Sequence, residues 1–208
     1  MLVTSKDVFI VVDVQTDFVS GTMAITGAEK IIMPINRAAE IFEHVIVVTD
    51  WHPKGHISFS SNHQGAKHGE QVDAPYGKQG VFNDHCVQGT TGAELAAGLE
   101  LTKAELIFRK GYREAVDSFG AFYENDNTPT GLGAYVKARG FERVFCAGLA
   151  RYGCVMQTAL GAARDGFETF IVSDASAGDR NVEENNAKLA EAGVGWVSTG
   201  EFKAAAAA

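Results

Sequence analysis

The sequence predicts an α/β fold, a parallel sheet covered by helices on both faces. Three observations carry that prediction. Short apolar runs such as VFIVVD and HVIVVTD are nearly continuous, as in strands buried on both sides. They alternate with longer segments whose apolar residues recur at helical spacing. Several of the runs end on a reactive polar residue, the position where open parallel sheets bind ligands.

Taken in order, strands are predicted at 7–13, 44–50, 104–109, 143–148, 168–173 and 194–198, six in all. Helices are predicted at 28–42, 92–99, 130–139, 154–165 and 180–192. In the first of these, IIMPINRAAEIF keeps a helical period, and Pro34 belongs in its opening turns. The stretch 51–90 breaks the rhythm. It is rich in Gly, His, Lys and Asn, has no clear period, and is long enough to suggest a functional loop. There is no internal repeat and no domain boundary, so residues 1–203 read as one domain and the Ala-rich 204–208 as a low-complexity tail.

Composition narrows the class of function. With 46% hydrophobic and 21% charged residues the chain is an ordinary globular protein. A net charge of -8 without a Lys/Arg cluster argues against a nucleic-acid partner. No early apolar stretch has the length or flanks of a signal peptide or membrane span, which argues against a membrane partner. Three cysteines, Cys86, Cys146 and Cys154, are an odd number without zinc-ribbon spacing. That suits free thiols in a reducing, cytoplasmic compartment.

Asp50 and His52 are two apart, so on an extended chain their side chains share a side. His85 is a candidate third metal ligand and His56 a weaker fourth. Three protein ligands with open positions is the pattern of a catalytic metal. The alternative is a turn-capping Asp50 beside solvated histidines, as read for His44, His63 and His68. Cys154 falls at the first turn of a predicted amphipathic helix, where unpaired N–H groups lower a thiol pKa and bind an oxyanion. Its alternative is the small buried hydrophobe that a free Cys commonly is, the reading given to Cys146. Asp13 and Lys110, at two other strand ends, are a base and a cation to flank the thiol, or else a buried ion pair with no chemistry. Such a pair adds little stability, which favours the chemical reading.

Six segments carry a resemblance: DVQTDF (13–18), TDWHPKGHISF (49–59), DHCVQGT (84–90), FRKG (108–111), DSFGAF (117–122) and GLARYGCVMQTALGAARDGF (148–167). In this order and over most of the chain they are similar to the nicotinamidase/pyrazinamidase branch of the isochorismatase-like cysteine hydrolases. The resemblance implies a three-layer α/β/α fold with a six-stranded parallel sheet, Rossmann-like in outline. It implies a triad of Asp13, Lys110 and Cys154, and a divalent metal held by Asp50, His52 and His85, with His56 added in some members. Zinc is the first expectation, with iron and manganese next. It implies an oxyanion hole from the N–H groups of Ala150 and Cys154, a cis Leu149–Ala150 peptide, and Phe18, Phe82, Phe119 and Tyr152 at the substrate.

The implied activity is hydrolysis of nicotinamide to nicotinate and ammonia through a cysteine thioester, in NAD salvage and pyridine nucleotide biosynthesis, with pyrazinamide also accepted. The partner is then a small amide, and a homo-oligomer is compatible with everything above. Three departures from the family pattern touch the pocket. Arg151-Tyr152-Gly153 replace a Thr-Asp-aromatic run, Phe82 stands for Trp, and Phe119 stands for Tyr. They motivate a second reading, an amidase of the same branch acting on another small amide such as maleamate or a ureido compound. A non-catalytic metal- or redox-binding module is a weaker reading, because Asp13, Lys110 and Cys154 are present together, and a vinyl-ether hydrolase of the isochorismatase type is weaker still, because that chemistry does not need the thiol.

Overall fold

A computed structural model describes residues 1–204. Six strands make one sheet: β1 Asp7–Val12, β2 His44–Asp50, β3 Leu106–Lys110, β4 Arg143–Gly148, β5 Glu168–Ser176 and β6 Gly195–Val197. Their spatial order is β3-β2-β1-β4-β5-β6, and every neighbouring pair is parallel. The four main helices are α1 Ile32–Ile41, α2 Leu132–Ala138, α3 Met156–Arg164 and α4 Val182–Glu191.

The continuous apolar runs reflect burial from two sides. All six residues of β1 are buried. Phe9 and Val11 face one core with Val45, Phe145 and Ile35, Ala38 and Phe42 from α1 and its end. Val8, Ile10 and Val12 face a second core with Ile46, Val144, Leu132 and Val136 of α2, Met156 and Ala159 of α3, and Leu189 of α4. Helices therefore cover both faces, and the architecture is three-layer α/β/α. Each fully buried Ile, Val or Phe adds roughly 1.5–3 kcal/mol of apolar transfer to the fold.

The strand order reverses between β1 and β4, and their C-terminal ends open a crevice where α/β sheets bind ligands. Gly148 closes β4 there at φ 121°, and a Cβ on it would sit 2.0 Å from the Val12 carbonyl oxygen. Only glycine allows the two strand ends to lie so close.

Several predicted elements change. The strand predicted at 104–109 runs from Leu106 to Lys110, so Lys110 is part of the sheet. The strand predicted at 168–173 extends to Ser176. The helix predicted at 28–42 is a tighter turn over Ala28–Ile31 followed by α1, with Pro34 in the first turn of α1. No helix forms over 92–99 beyond a short turn at Thr91–Ala93. Its backbone bonds go elsewhere: the Glu94 carbonyl accepts from Thr16 and the Ala96 N–H donates to Val14. The irregular stretch contains a hairpin, Gln71–Ala74 with Gly77–Gly80. At the C-terminus, Ala204 pairs with Val3 in a short parallel bridge of Leu2–Val3 with Lys203–Ala204, so it belongs to the folded unit. The rest of the predicted tail, 205–208, lies outside the described residues. Among the described residues no helix is long and apolar enough to cross a membrane.

Candidate active site

The strand ends bring Asp13, Lys110 and Cys154 together. Asp13 follows β1 at φ 53°, a left-handed conformation that short polar side chains tolerate best. Its N–H donates to Val48. Its carboxylate is fully buried, with Oδ2 2.9 Å from Lys110 Nζ. That contact is close but poorly aligned, and neither carboxylate oxygen receives a well-formed hydrogen bond. The Lys110 ammonium also donates to Asp50 Oδ1 at 2.6 Å, to the Ser118 carbonyl at 2.9 Å and to Cys154 Sγ at 3.5 Å. One cation thus sits among two carboxylates and a thiol, shielded from water.

The ionisation of the cluster follows from that burial. Desolvation, with the Asp50 charge beside it, outweighs Lys110 and pushes Asp13 up to about 7. Burial acts to lower Lys110, but the charges of Asp13 and Asp50 win and hold it well above its ordinary value. Burial acts to raise Asp50, but Lys110 and His52 hold it well below the carboxylate range. The Cys154 thiol is pushed well up, first by desolvation. A half-buried thiol beside a carboxylate poised near neutrality gives up its proton to that carboxylate more readily than to water, which suits a nucleophile activated by an adjacent base.

Cys154 sits in a wide turn over Arg151–Val155, one residue before that turn ends, with α3 following directly at Met156. The predicted first helical turn is thus a distorted one. Tyr152 and Gly153 leave helical geometry, and the Ala150 carbonyl accepts from both Gly153 and Val155. The Leu149–Ala150 peptide is cis, and the Ala150 N–H makes no backbone hydrogen bond among the described residues.

On the other side of Asp50 lie the histidines. Asp50, His52 and His85 place ligand atoms within 4.8 Å of one another, with His52 Nε2 3.5 Å from Asp50 Oδ2. His52, His56 and Asp117 form an overlapping group. Each histidine has its Nδ1 occupied: His52 by the Gly111 carbonyl at 2.8 Å, His85 by the Asn83 carbonyl at 2.7 Å and His56 by Ser58 Oγ at 2.7 Å. The carbonyl partners fix the tautomer of His52 and His85 and leave their Nε2 to face a metal, whereas His56 Nδ1 also accepts the Ser58 N–H at 3.4 Å. His56 Nε2 is buried without a partner. Burial and the neighbouring His52 push His56 down to about 4, and the same two causes lower His85, so both are neutral donors at neutral pH. Burial acts to lower His52 as well, but the Asp50 charge prevails and raises it. Asp50, the imidazoles of His52 and His85, and the orphaned Nε2 of His56 fit a divalent metal.

Local folding explains how separate segments meet here. The His52 N–H donates to the Cys86 carbonyl and the Gln88 N–H to the His52 carbonyl, so the His85 segment pairs with the continuation of β2. Phe82 is tied to the Ser58–Ser60 backbone by two such bonds. Phe18 meets His85 edge-on at 5.3 Å between ring centroids, and Phe82 stands 6.2 Å from both His85 and Phe119. Phe18 and Phe82 thus lie beside the histidine group, with Phe119 next to Phe82.

Tyr152 does not join them, which corrects its placement at the substrate. Its ring is buried in the second core, its hydroxyl donates to Asn186 of α4 at 2.9 Å, and its nearest aromatic is Trp196. Arg151 also turns away, toward Asp179 and the carbonyls of β5. Cys146 is buried in the core, and Cys86 is buried with its Sγ against the Gly92 carbonyl. Of the histidines read as surface, His44 is largely covered and pairs with Glu105 at 2.8 Å, because both lie where β2 and β3 begin. His63 is bonded to the Ile57 carbonyl and His68 accepts from the Asn83 N–H.

Three polar residues at the site lie outside the predicted set. Gln15 is fully buried and bonds both the N–H and the carbonyl of Asp50 at 2.8 Å. Asp17 accepts the N–H of Cys86 at 2.8 Å, holding the residue after His85 at φ 47°. Asp117 is buried, accepts from Gln79 of the hairpin at 2.7 Å, and has Oδ1 4.0 Å from His56 Nε2. The signal was present in DVQTDF and DSFGAF, as polar residues adjoining buried runs.

Comparison with known proteins gives the family. A family model described as the isochorismatase domain matches residues 7–201. A nicotinamidase of Acinetobacter baylyi is 44% identical over 168 residues, 80% of this chain and 78% of its own length. Among solved structures, an Acinetobacter baumanii nicotinamidase/pyrazinamidase superposes with a TM-score of 0.93 at 39% identity, over 95% of this chain and 98% of that one. An L. infantum protein in complex with nicotinate gives 0.87 at 31% identity, covering 99% of each chain. A Pyrococcus horikoshii pyrazinamidase in complex with zinc gives 0.77 at 27% identity, covering 93% of this chain and 99% of that one. The chain belongs to the isochorismatase-domain family, in its nicotinamidase/pyrazinamidase branch.

Proposed function

We propose that the chain hydrolyses nicotinamide to nicotinate and ammonia, accepts pyrazinamide, and serves NAD salvage in the cytoplasm. The observation that carries this is the buried Asp13–Lys110–Cys154 cluster lying directly against the Asp50/His52/His85 group. Asp13 takes the proton of Cys154, and Lys110 steadies the resulting charge. The Cys154 sulfur bonds to the carboxamide carbon, with the oxyanion received by the N–H groups of Ala150 and Cys154. The C–N bond breaks, and ammonia leaves with the proton held by Asp13. A water then gives a proton back to Asp13 and attacks the thioester carbon. The C–S bond then breaks, Cys154 regains its proton from Asp13, and the acid product ionises to nicotinate as it leaves.

Asp50, His52 and His85, with His56, would hold a divalent metal, zinc by preference. When bound, the metal supplies a Lewis-acid contact for the ring nitrogen of the substrate. Phe18, Phe82 and Phe119 wall the ring. The folded unit of 1–204 is taken to act as one domain, which the family match over 7–201 supports. The second reading, an amidase for another small amide, drew its motive from Arg151 and Tyr152. Both side chains point away from the crevice, so that motive falls. The test is ammonia release from nicotinamide, pyrazinamide, maleamate and a ureido compound by protein loaded with zinc. The proposal expects the highest kcat/KM for the two ring amides, and a higher value for maleamate or the ureido compound would overturn it.

A further inference from the structure

The segment Arg151-Tyr152-Gly153 immediately precedes the nucleophile, yet its two large side chains do not enter the crevice. Arg151 reaches instead to β5. There the pairing of β4 with β5 advances five residues along β5, from Ile171 to Ser176, for two along β4, from Cys146 to Gly148. Such an irregularity takes carbonyls out of the ladder. The Arg151 guanidinium donates to two of them, Ser173 at 2.9 Å and Ser176, and to Asp179 Oδ1 at 2.6 Å. The Arg151 N–H donates to the Ala177 carbonyl at 2.6 Å. On the same side Gly178, at φ 96°, presses on Ala150, and a Cβ on it would lie 2.9 Å from the Ala150 Cβ.

We propose that Arg151 is a positioning residue that locks the nucleophile turn, and with it the Ala150 and Cys154 N–H groups, onto the irregular end of β5 and Asp179. This rests on the reading of Cys154 as nucleophile. A planar guanidinium is suited to the task because it reaches two carbonyls and a carboxylate at once, and lysine offers only a point charge. Arg151 touches no reacting atom. It acts by keeping Cys154 within reach of Asp13, and small displacements of reacting groups cost large factors in rate.

The experiment compares wild type with Arg151→Met, Arg151→Lys and Asp179→Asn, each loaded with zinc. Four quantities are read: kcat and KM for nicotinamide, zinc content, the thermal midpoint, and the rate of Cys154 alkylation by iodoacetamide. Arg151→Met is expected to lower kcat by about tenfold to a hundredfold, with KM and zinc content within about twofold of wild type. Alkylation of Cys154 should slow alongside kcat, because the thiol loses its base. Arg151→Lys should recover part of the rate, and Asp179→Asn should fall between it and wild type. Wild-type kcat in both Arg151 variants would overturn the proposal, and so would a kcat loss matched by equal loss of zinc or of folded protein. If Arg151→Met does not fold, Arg151→Lys and Asp179→Asn decide the matter on the same quantities. Should wild type leave nicotinamide intact, the proposed substrate fails, but the alkylation rates still test the role of Arg151.

Discussion

At the residue scale, the proposed proton carrier Asp13 and the proposed nucleophile Cys154 lie in one cluster, and each can be removed singly. Cys154→Ala is expected to abolish amide turnover while leaving metal content intact, because only one sulfur is lost from the turn before α3. Cys146 has the same chemistry but is sealed in the core with its thiol pushed far up by burial, so Cys146→Ala should act on stability alone. Ammonia release and thermal midpoints on the two variants check this, and equal residual activity would disprove the assignment. Asp13→Asn should be nearly as harmful as Cys154→Ala, since residues that act as a unit are strongly non-additive. On the metal side, His52→Ala and His85→Ala should each lose bound zinc, measured by elemental analysis, and His56→Ala should lose less. The positions of Asp13, Asp50 and Lys110 are legible as reactive types at strand ends, that of His52 by its spacing from Asp50 and that of Cys154 by its place before a helix, whereas His85 lies in the loop after the hairpin and has no strand-end signal. Tyr152 was misplaced because sequence position beside Cys154 does not say which way a side chain leaves a distorted turn. Gln15, Asp17 and Asp117 escaped because they act on the backbone or imidazole of other residues, and such contacts have no spacing signal.

At the scale of elements, the strands were legible from their apolar runs and the helices from their period, and the errors have local causes. The segment 92–99 has helix-forming residues, Glu94, Leu95, Ala96 and Ala97, but it is flanked by Gly92 and Gly98. Its backbone pairs with the Val14–Thr16 chain instead of closing helical bonds. A tertiary pairing thereby overrides local propensity. The 71–80 hairpin has no alternating apolar pattern to announce it. It is held partly through buried Gln79, which bonds Asp117. Glycine positions separate conformational need from spatial need. Gly140 (φ 77°) has open space around its missing Cβ, whereas Gly148 (φ 121°) faces the Val12 carbonyl at 2.0 Å. Gly140→Ala should therefore cost about 1 kcal/mol for its backbone conformation. Gly148→Ala should cost on the order of 3 kcal/mol or more, and should also disturb the crevice between β1 and β4. Denaturant midpoints of the two variants test the contrast, and similar losses would show that close approach of the strand ends is not what requires glycine.

At the scale of the whole molecule, the sheet order puts the thiol cluster, drawn from the ends of β1 and β3 and the turn after β4, beside the histidine group that follows β2. The fixed separation of the two groups is then a ruler for substrates. On the proposed reading, a ring nitrogen held at the metal would set where a carboxamide falls relative to Cys154. Nicotinamide carries its amide meta to that nitrogen, and pyrazinamide presents the same relation through its distal nitrogen. Benzamide has the same outline and flat face but no nitrogen. Phe18, Phe82 and Phe119 would still wall it, but a contact between ring nitrogen and metal would be missing to direct its amide to the thiol. Benzamide should therefore lose far more in kcat/KM than the ~1–3 kcal/mol associated with one apolar group. Phe82→Ala offers the internal control. Stacking does not sense a ring nitrogen, so this variant should weaken nicotinamide and benzamide by similar factors and leave their ratio near the wild-type value. Steady-state kinetics on the two amides with both proteins decide the point. Benzamide turning over as fast as nicotinamide would mean that the aromatic walls alone orient the substrate, and that the histidine group serves the thiol cluster in some other way.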